Sequence, residues 1–81
     1  MNSGREVLLP GESVGMQSTE DHEEVIVPLS GTGELYGPGV GVSQVPPGCV
    51  LYNPPYTLHE VTSTGDQPLR YIYIVARAQQ P

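Results

Sequence analysis

The segment EVIVPLSGTGELY, residues 24–36, decides how the chain is read. Val25, Val27 and Leu29 alternate with Glu24, Ile26 and Pro28. In an extended strand successive side chains point to opposite faces, so Glu24 lies on the same face as Ile26. Gly31-Thr32 interrupts the run with turn chemistry, and a second strand follows over 33–36. Pro28 cannot donate to a ladder, so an edge or a bulge is expected at that position.

The same alternation of short apolar runs and turn residues extends in both directions. Strands are expected over 6–9, 13–17, 24–30, 33–36, 40–45, 49–53, 60–64 and 69–77. The intervening turns are Pro10-Gly11, Gly37-Pro38-Gly39, Pro46-Pro47-Gly48, Pro54-Pro55 and Gly65-Asp66. Residues 69–76, LRYIYIVA, are apolar on both faces, as expected of a strand covered on both sides. Ten glycines and nine prolines among 81 residues leave no window with sustained helical periodicity. The chain therefore reads as all-β, one domain over 1–81, folded as a small antiparallel β-barrel or jelly roll. The tail 78–81 is expected to fray.

Charge narrows the partners. The formal net charge is −6, lysine is absent, and Arg5, Arg70 and Arg77 are the only fixed cations. A polyanion gains affinity from clustered Lys and Arg, so neither nucleic acid nor an anionic membrane surface is expected as a partner. No apolar run reaches the roughly 20 residues of a membrane span. The N-terminal residues hold no apolar block of signal-peptide length, and a cytoplasmic location is expected. The single cysteine, Cys49, forms no internal disulfide and is expected as a small core residue. The chain lacks the Gly-Lys-Ser/Thr ending of a phosphate loop and any paired-cysteine zinc pattern.

Two spaced motifs carry the chemistry. Gly11 is followed after five residues by Gln17-Ser18-Thr19, after four more by Glu24, and after six more by Gly31. Gly48 is followed after five residues by Pro54-Pro55-Tyr56, after two by His59, and after three by Ser63. Sixteen residues separate Gly31 from Gly48. In order and spacing the pair resembles the two motifs of the cupins. The first of those reads glycine, five residues, His-x-His, three or four residues, glutamate, six residues, glycine. The second reads glycine, five residues, Pro-x-Gly, two residues, histidine, three residues, asparagine. The resemblance places motif 1 at about 11–31 and motif 2 at about 48–63. Gln17 and Thr19 stand where the family has two histidines, Tyr56 stands for the glycine, and Ser63 stands for the asparagine.

The resemblance implies a cupin-type β-barrel in which three histidines and a glutamate hold a divalent metal. Glu24 and His59 are the two ligands retained. Gln17 offers an amide oxygen, while the Thr19 hydroxyl is a poor ligand as long as it stays protonated. His22 lies two residues before Glu24 and shares its face if the strand starts that early; otherwise it is an exposed histidine in an acidic turn. With His22 inward, His22, Glu24 and His59 make two histidines and one carboxylate, a set that suits Ni, Zn, Fe or Mn. Without metal, Glu24 and His59 remain a general acid–base pair. Tyr52 and Tyr56 are expected as ligand-binding aromatics, Tyr56 partly closing the barrel mouth, and Tyr52, Tyr71 and Tyr73 as aromatic walls. Three functions follow. The first is a barrel that binds a small molecule beside a reduced or degenerate metal site, with or without a divalent metal. The second is a metal-dependent isomerase, lyase or dioxygenase using His22, Glu24 and His59. The third is a barrel serving mainly to form dimers. A homodimer is expected in each case, because a chain this short buries a small core and gains by pairing.

Overall fold

The computed structural model describes residues 1–78 and contains eight strands. They are β1 (Asn2–Leu8), β2 (Gln17–Ser18), β3 (His22–Ser30), β4 (Gly33–Gly37), β5 (Gly41–Gln44), β6 (Leu51–Asn53), β7 (Leu58–Ser63) and β8 (Leu69–Arg77). Two four-stranded sheets form, with orders β1-β8-β3-β6 and β2-β7-β4-β5, and every pairing is antiparallel. The all-β barrel expected from the sequence is thus the fold. Among the described residues no helix is long and apolar enough to cross a membrane.

β8 sits between β1 and β3 and begins and ends where its two-faced apolar pattern predicts. Of its inward side chains, Tyr71, Tyr73 and Val75 stand beside Pro28, Ile26 and Glu24 of β3 in turn, and Leu69 stands beside Leu8 of β1. Pro28 lies at a register shift between Pro28 and Ser30, so the bulge expected there is present. β1 starts at Asn2, four residues before the expected strand at 6–9, and pairs with β8 as far as Asn2↔Val75. Residues 2–5 are polar and carry no strand signal; the unpaired edge of β8 draws them in.

Other boundaries moved for local reasons. The strand expected over 13–17 is reduced to one bridge, Ser13↔Thr62, and the two-residue β2, because Gly15 at φ 85° breaks the extended run. β7 opens at Leu58 rather than 60, which brings His59 into the ladder opposite Gln17. The strand expected over 49–53 is confined to Leu51–Asn53. Cys49 therefore lies in the connection after the Pro47-Gly48 turn and is exposed, which corrects its expected place in the core. Of the tail expected to fray, Ala78 donates its N–H to the Asp21 carbonyl at 2.9 Å, and 79–81 lie outside the described residues.

The barrel is dry at one end and polar at the other. Leu8, Ile26, Val45, Val61, Leu69 and Tyr71 form the buried core, with Leu69, Ile26, Val45 and Val61 at 0–1% exposure. Each such aliphatic side chain contributes roughly 1.5–3 kcal/mol by leaving water. Along β3 the inward series passes from Pro28 and Ile26 to Glu24, and along β7 from Ser63 and Val61 to His59. The two polar termini of these series meet.

Candidate functional site in the polar end of the barrel

Glu24 occupies the middle of its sheet, paired with Val75 of β8 on one side and Asn53 of β6 on the other. Asn53, buried at 5%, donates Nδ2 to Glu24 Oε1 at 3.1 Å. His59 approaches from the opposite sheet, and its Nε2 lies 3.0 Å from the same Oε1. The two side chains are only 7% and 15% exposed, His59 and Glu24 respectively. Both contacts fall on Oε1, and among the described residues none falls on Oε2. His59 Nδ1 faces the Thr57 carbonyl at 3.4 Å.

The pair is electrostatically matched. Burial pushes the Glu24 carboxyl up, but the hydrogen bonds from His59 and Asn53 outweigh it and hold the group below its ordinary value. The bond to Glu24 raises His59 above its ordinary value, against the opposing effect of burial. The arrangement favours a carboxylate beside an imidazolium, a pair able to give a proton from His59 and to accept one at Glu24.

Gln17 stands directly across the β2–β7 ladder from His59 and lines the same space. Thr19 is not free to act as a ligand. Its hydroxyl donates to the Pro54 carbonyl at 2.7 Å and accepts from the Thr57 N–H at 3.0 Å, pinning the β6–β7 turn. His22 falls within β3, on the face of Glu24, and lines the cavity that holds Glu24 and His59. Its Nδ1, however, is engaged by Asp21 Oδ1 at 2.8 Å. Asp21 Oδ2 in turn takes Arg77 Nε at 3.1 Å and Nη2 at 3.0 Å.

Among the described residues no three His, Cys, Asp or Glu side chains converge closely enough to hold a metal ion. The expected set of His22, Glu24 and His59 is therefore not assembled as a three-ligand site. As placed, His59 and Glu24 bond to one another and the Thr19 hydroxyl is committed to backbone groups, which leaves Gln17 as the further donor beside them.

Three cavities meet around the pair. One of about 570 Å³ holds Gln17, Thr19, His22, Glu24 and His59. Another, about 550 Å³, shares Gln17 and Glu24 and runs along Glu6, Tyr71 and Tyr73. A smaller one, about 220 Å³, touches His59 and Asn53 from the side of Leu35 and Leu51. Tyr71 and Tyr73 are walls, as the sequence led one to expect. Tyr52 is 55% exposed and borders only the smallest of the three. Tyr56 borders none of them and is 71% exposed, which corrects its expected place at the site. Its φ of 55° turns the side chain outward while its N–H donates to the Glu20 carbonyl at 2.7 Å. Asn53, Glu6 and Glu12 were not singled out by sequence. For Asn53 the available signal was a polar residue at an inward position just before Pro54.

The family model described as Cupin domain matches residues 4–75. A curated protein named glucose-6-phosphate isomerase, from Pyrococcus abyssi, is 34% identical over 91% of this chain, which spans 46% of that protein. The crystal structure of a predicted oxalate decarboxylase from Thermotoga maritima superposes with a TM-score of 0.87 at 25% identity, over 94% of this chain and 65% of that one. A Cupin 2 conserved barrel domain protein from Salinispora arenicola gives a TM-score of 0.84 at 25% identity, over 94% of this chain and 62% of that one. The chain thus spans about half the length of the curated relative and under two thirds of these structural neighbours.

Proposed function

This chain belongs to the cupin domain family, and from that membership we propose that it binds a small molecule in the polar end of its barrel, beside a degenerate metal site. The observation that carries the reading is the direct contact of His59 Nε2 with Glu24 Oε1 at 3.0 Å, inside a cavity of about 570 Å³. Where the family holds a cation between such side chains, these two neutralise each other. Gln17 supplies an adaptable amide beside them, and Glu24 Oε2 remains to accept a hydrogen bond from a ligand.

The experiment is elemental analysis of untagged protein after incubation with Ni, Zn, Mn and Fe(II), alongside Glu24→Ala and His59→Ala. The expected result is no stoichiometric metal in any of the three. A thermal-shift screen on the same samples is expected to find ligands that stabilise the parent protein and not the variants. Near-stoichiometric metal in the parent, lost in both variants, overturns the reading.

That second outcome belongs to the competing proposal, a metal-dependent isomerase, lyase or dioxygenase using His22, Glu24 and His59. Two observations favour it: His22 lines the same cavity as the pair, and a 34% identical relative carries the name of an isomerase. It requires His22 to leave Asp21 and turn inward. The proposal also includes a homodimer, supported by the row of Val25, Val27, Ile72 and Ile74 on the sheet face opposite Glu24 and Tyr71. A monomer in light scattering at high concentration removes that part.

A further inference from the structure

The cavity of about 550 Å³ between β1, β8 and the 12–17 segment is lined by carboxylates, of which Glu24 is paired with His59 behind it. Glu6, Glu12 and Glu24 line it, and no Lys, Arg or His does. Their oxygens are only partly used. Glu12 Oε1 accepts the Leu9 N–H at 2.7 Å, and Glu24 Oε1 takes His59 and Asn53. Among the described residues Glu6 makes no side-chain hydrogen bond or ion pair, and both side-chain contacts of Glu24 fall on Oε1.

An independent observation comes from Tyr71. It is 4% exposed, its ring lines this cavity, and its hydroxyl makes no hydrogen bond to a described residue. The hydroxyl is not among the fully buried unpaired groups, so it opens onto the cavity, where a ligand atom or water can bond to it. Tyr73 supplies a second ring. Its position depends on Gly4, where any Cβ would run into that ring. Val14 and Val75 complete the lining with apolar surface.

We propose that this cavity takes a small organic cation, an alkylamine or quaternary ammonium group, held by Glu6 against the rings of Tyr71 and Tyr73. Ring faces attract a cation directly, and the attraction grows as water is excluded. The carboxylates repel an anion over the same short distances, since fields are weakly screened inside a protein. The inference deepens the small-molecule reading above and rests on it. It sets this chain apart from relatives named for a sugar phosphate and for oxalate, both anions.

The test is a titration of ¹⁵N-labelled protein followed by amide NMR, with choline and putrescine as cationic probes. The controls are 3,3-dimethyl-1-butanol, the uncharged shape analogue of choline, and the anions oxalate and inorganic phosphate. Choline or putrescine is expected to shift the amides of Glu6, Gln17, Tyr71 and Tyr73 saturably. The uncharged analogue is expected to bind about tenfold more weakly or worse, and Glu6→Gln to weaken the cation by about tenfold. Equal binding of choline and its uncharged analogue overturns the inference while leaving the small-molecule reading intact. So does tighter binding of either anion at these amides. If neither cation shifts them, the inference falls, and the small-molecule reading survives only where one of the controls binds. Should Glu6→Gln fail to fold, the comparison of choline with its uncharged analogue on the parent protein decides alone.

Discussion

Glu24 Oε1 and His59 Nε2 lie 3.0 Å apart, although Glu24 belongs to the β1-β8-β3-β6 sheet and His59 to the β2-β7-β4-β5 sheet. Their contact is therefore a link between sheets as well as a chemical site, and its strength depends on pH. Glu24 is held below its ordinary 4.5, so its contribution is present above that value and is lost as pH falls through the lowered one. His59 is raised above its ordinary 6.5, so its contribution is complete below that value and is lost as pH rises through the raised one. Both contributions coexist between pH 4.5 and 6.5. Glu24→Gln is expected to cost about 2 kcal/mol near the middle of that window, the scale of a charge-assisted hydrogen bond. The cost is expected to shrink in alkaline solution. Urea denaturation of parent and variant at mildly acidic and at alkaline pH measures the difference, and an equal loss at both pH values contradicts the ion-pair assignment.

Gln17 faces His59 across the β2–β7 ladder, at a separation of Cβ atoms of about 5 Å for directly opposed residues. Replacing Gln17 with histidine adds a third strong donor beside Glu24 and His59. Gln17→His is expected to bind Zn or Ni stoichiometrically, with release of about one proton as His59 gives up its bond to Glu24. Calorimetry in two buffers of different ionisation enthalpy reads both the stoichiometry and the proton. Failure of Gln17→His to gain affinity over the parent means that Gln17 does not reach the pair, and the degenerate-site reading loses its geometric basis.

How much of this was legible in the sequence differs from element to element. β8 could be read end to end because its residues are apolar on both faces, with Leu69 and Tyr71 buried and Ile72 and Ile74 half-buried, so its pattern has no competitor. β3 was legible through the parity of Glu24 and Ile26, and the motif spacing brought Glu24 and His59 together correctly. The polar first half of β1 was not legible, since what makes it a strand is an edge supplied by residues 69–77. Cys49 was misplaced because cysteine is usually buried, whereas here the Pro47-Gly48 turn holds the chain at the surface until Leu51. Tyr56 was misplaced because a positive φ reverses the direction that a motif alignment assumes. Thr19 could be excluded as a strong ligand by chemistry alone, but its role as a clamp on Pro54 and Thr57 depends on a contact that no local pattern encodes.

Gly31 illustrates a motif residue whose requirement is steric. Its φ is +81°, and a Cβ built there would strike the Pro68 carbonyl and the Leu69 backbone. Gly11 has a similar φ of +84° but open space around it. Alanine at either position meets the left-handed penalty of about 1–2 kcal/mol; only at Gly31 does it also displace backbone. Gly31→Ala is therefore expected to be at least ~1 kcal/mol more destabilising than Gly11→Ala. Equal losses in urea denaturation would show that the β8 backbone yields without cost.

Ser63 is 1% exposed, and among the described residues its Oγ has no hydrogen-bond partner. Its backbone is well held, with the N–H donating to Glu12 O at 2.9 Å and the carbonyl accepting from Gly11 N at 3.0 Å. Only the hydroxyl is stranded, at the dry end of the barrel, beside Gly33 and one inward position along β7 from Val61. A buried hydroxyl without a partner costs about 1–3 kcal/mol in lost hydration. Ser63→Ala removes that hydroxyl and leaves the backbone bonds in place. The variant is expected to be more stable by about 1 kcal/mol, seen as a higher urea midpoint at unchanged slope. A lower midpoint would mean that the hydroxyl is satisfied by an internal water, and that the end of the barrel away from Glu24 and His59 is wetter than its side chains imply.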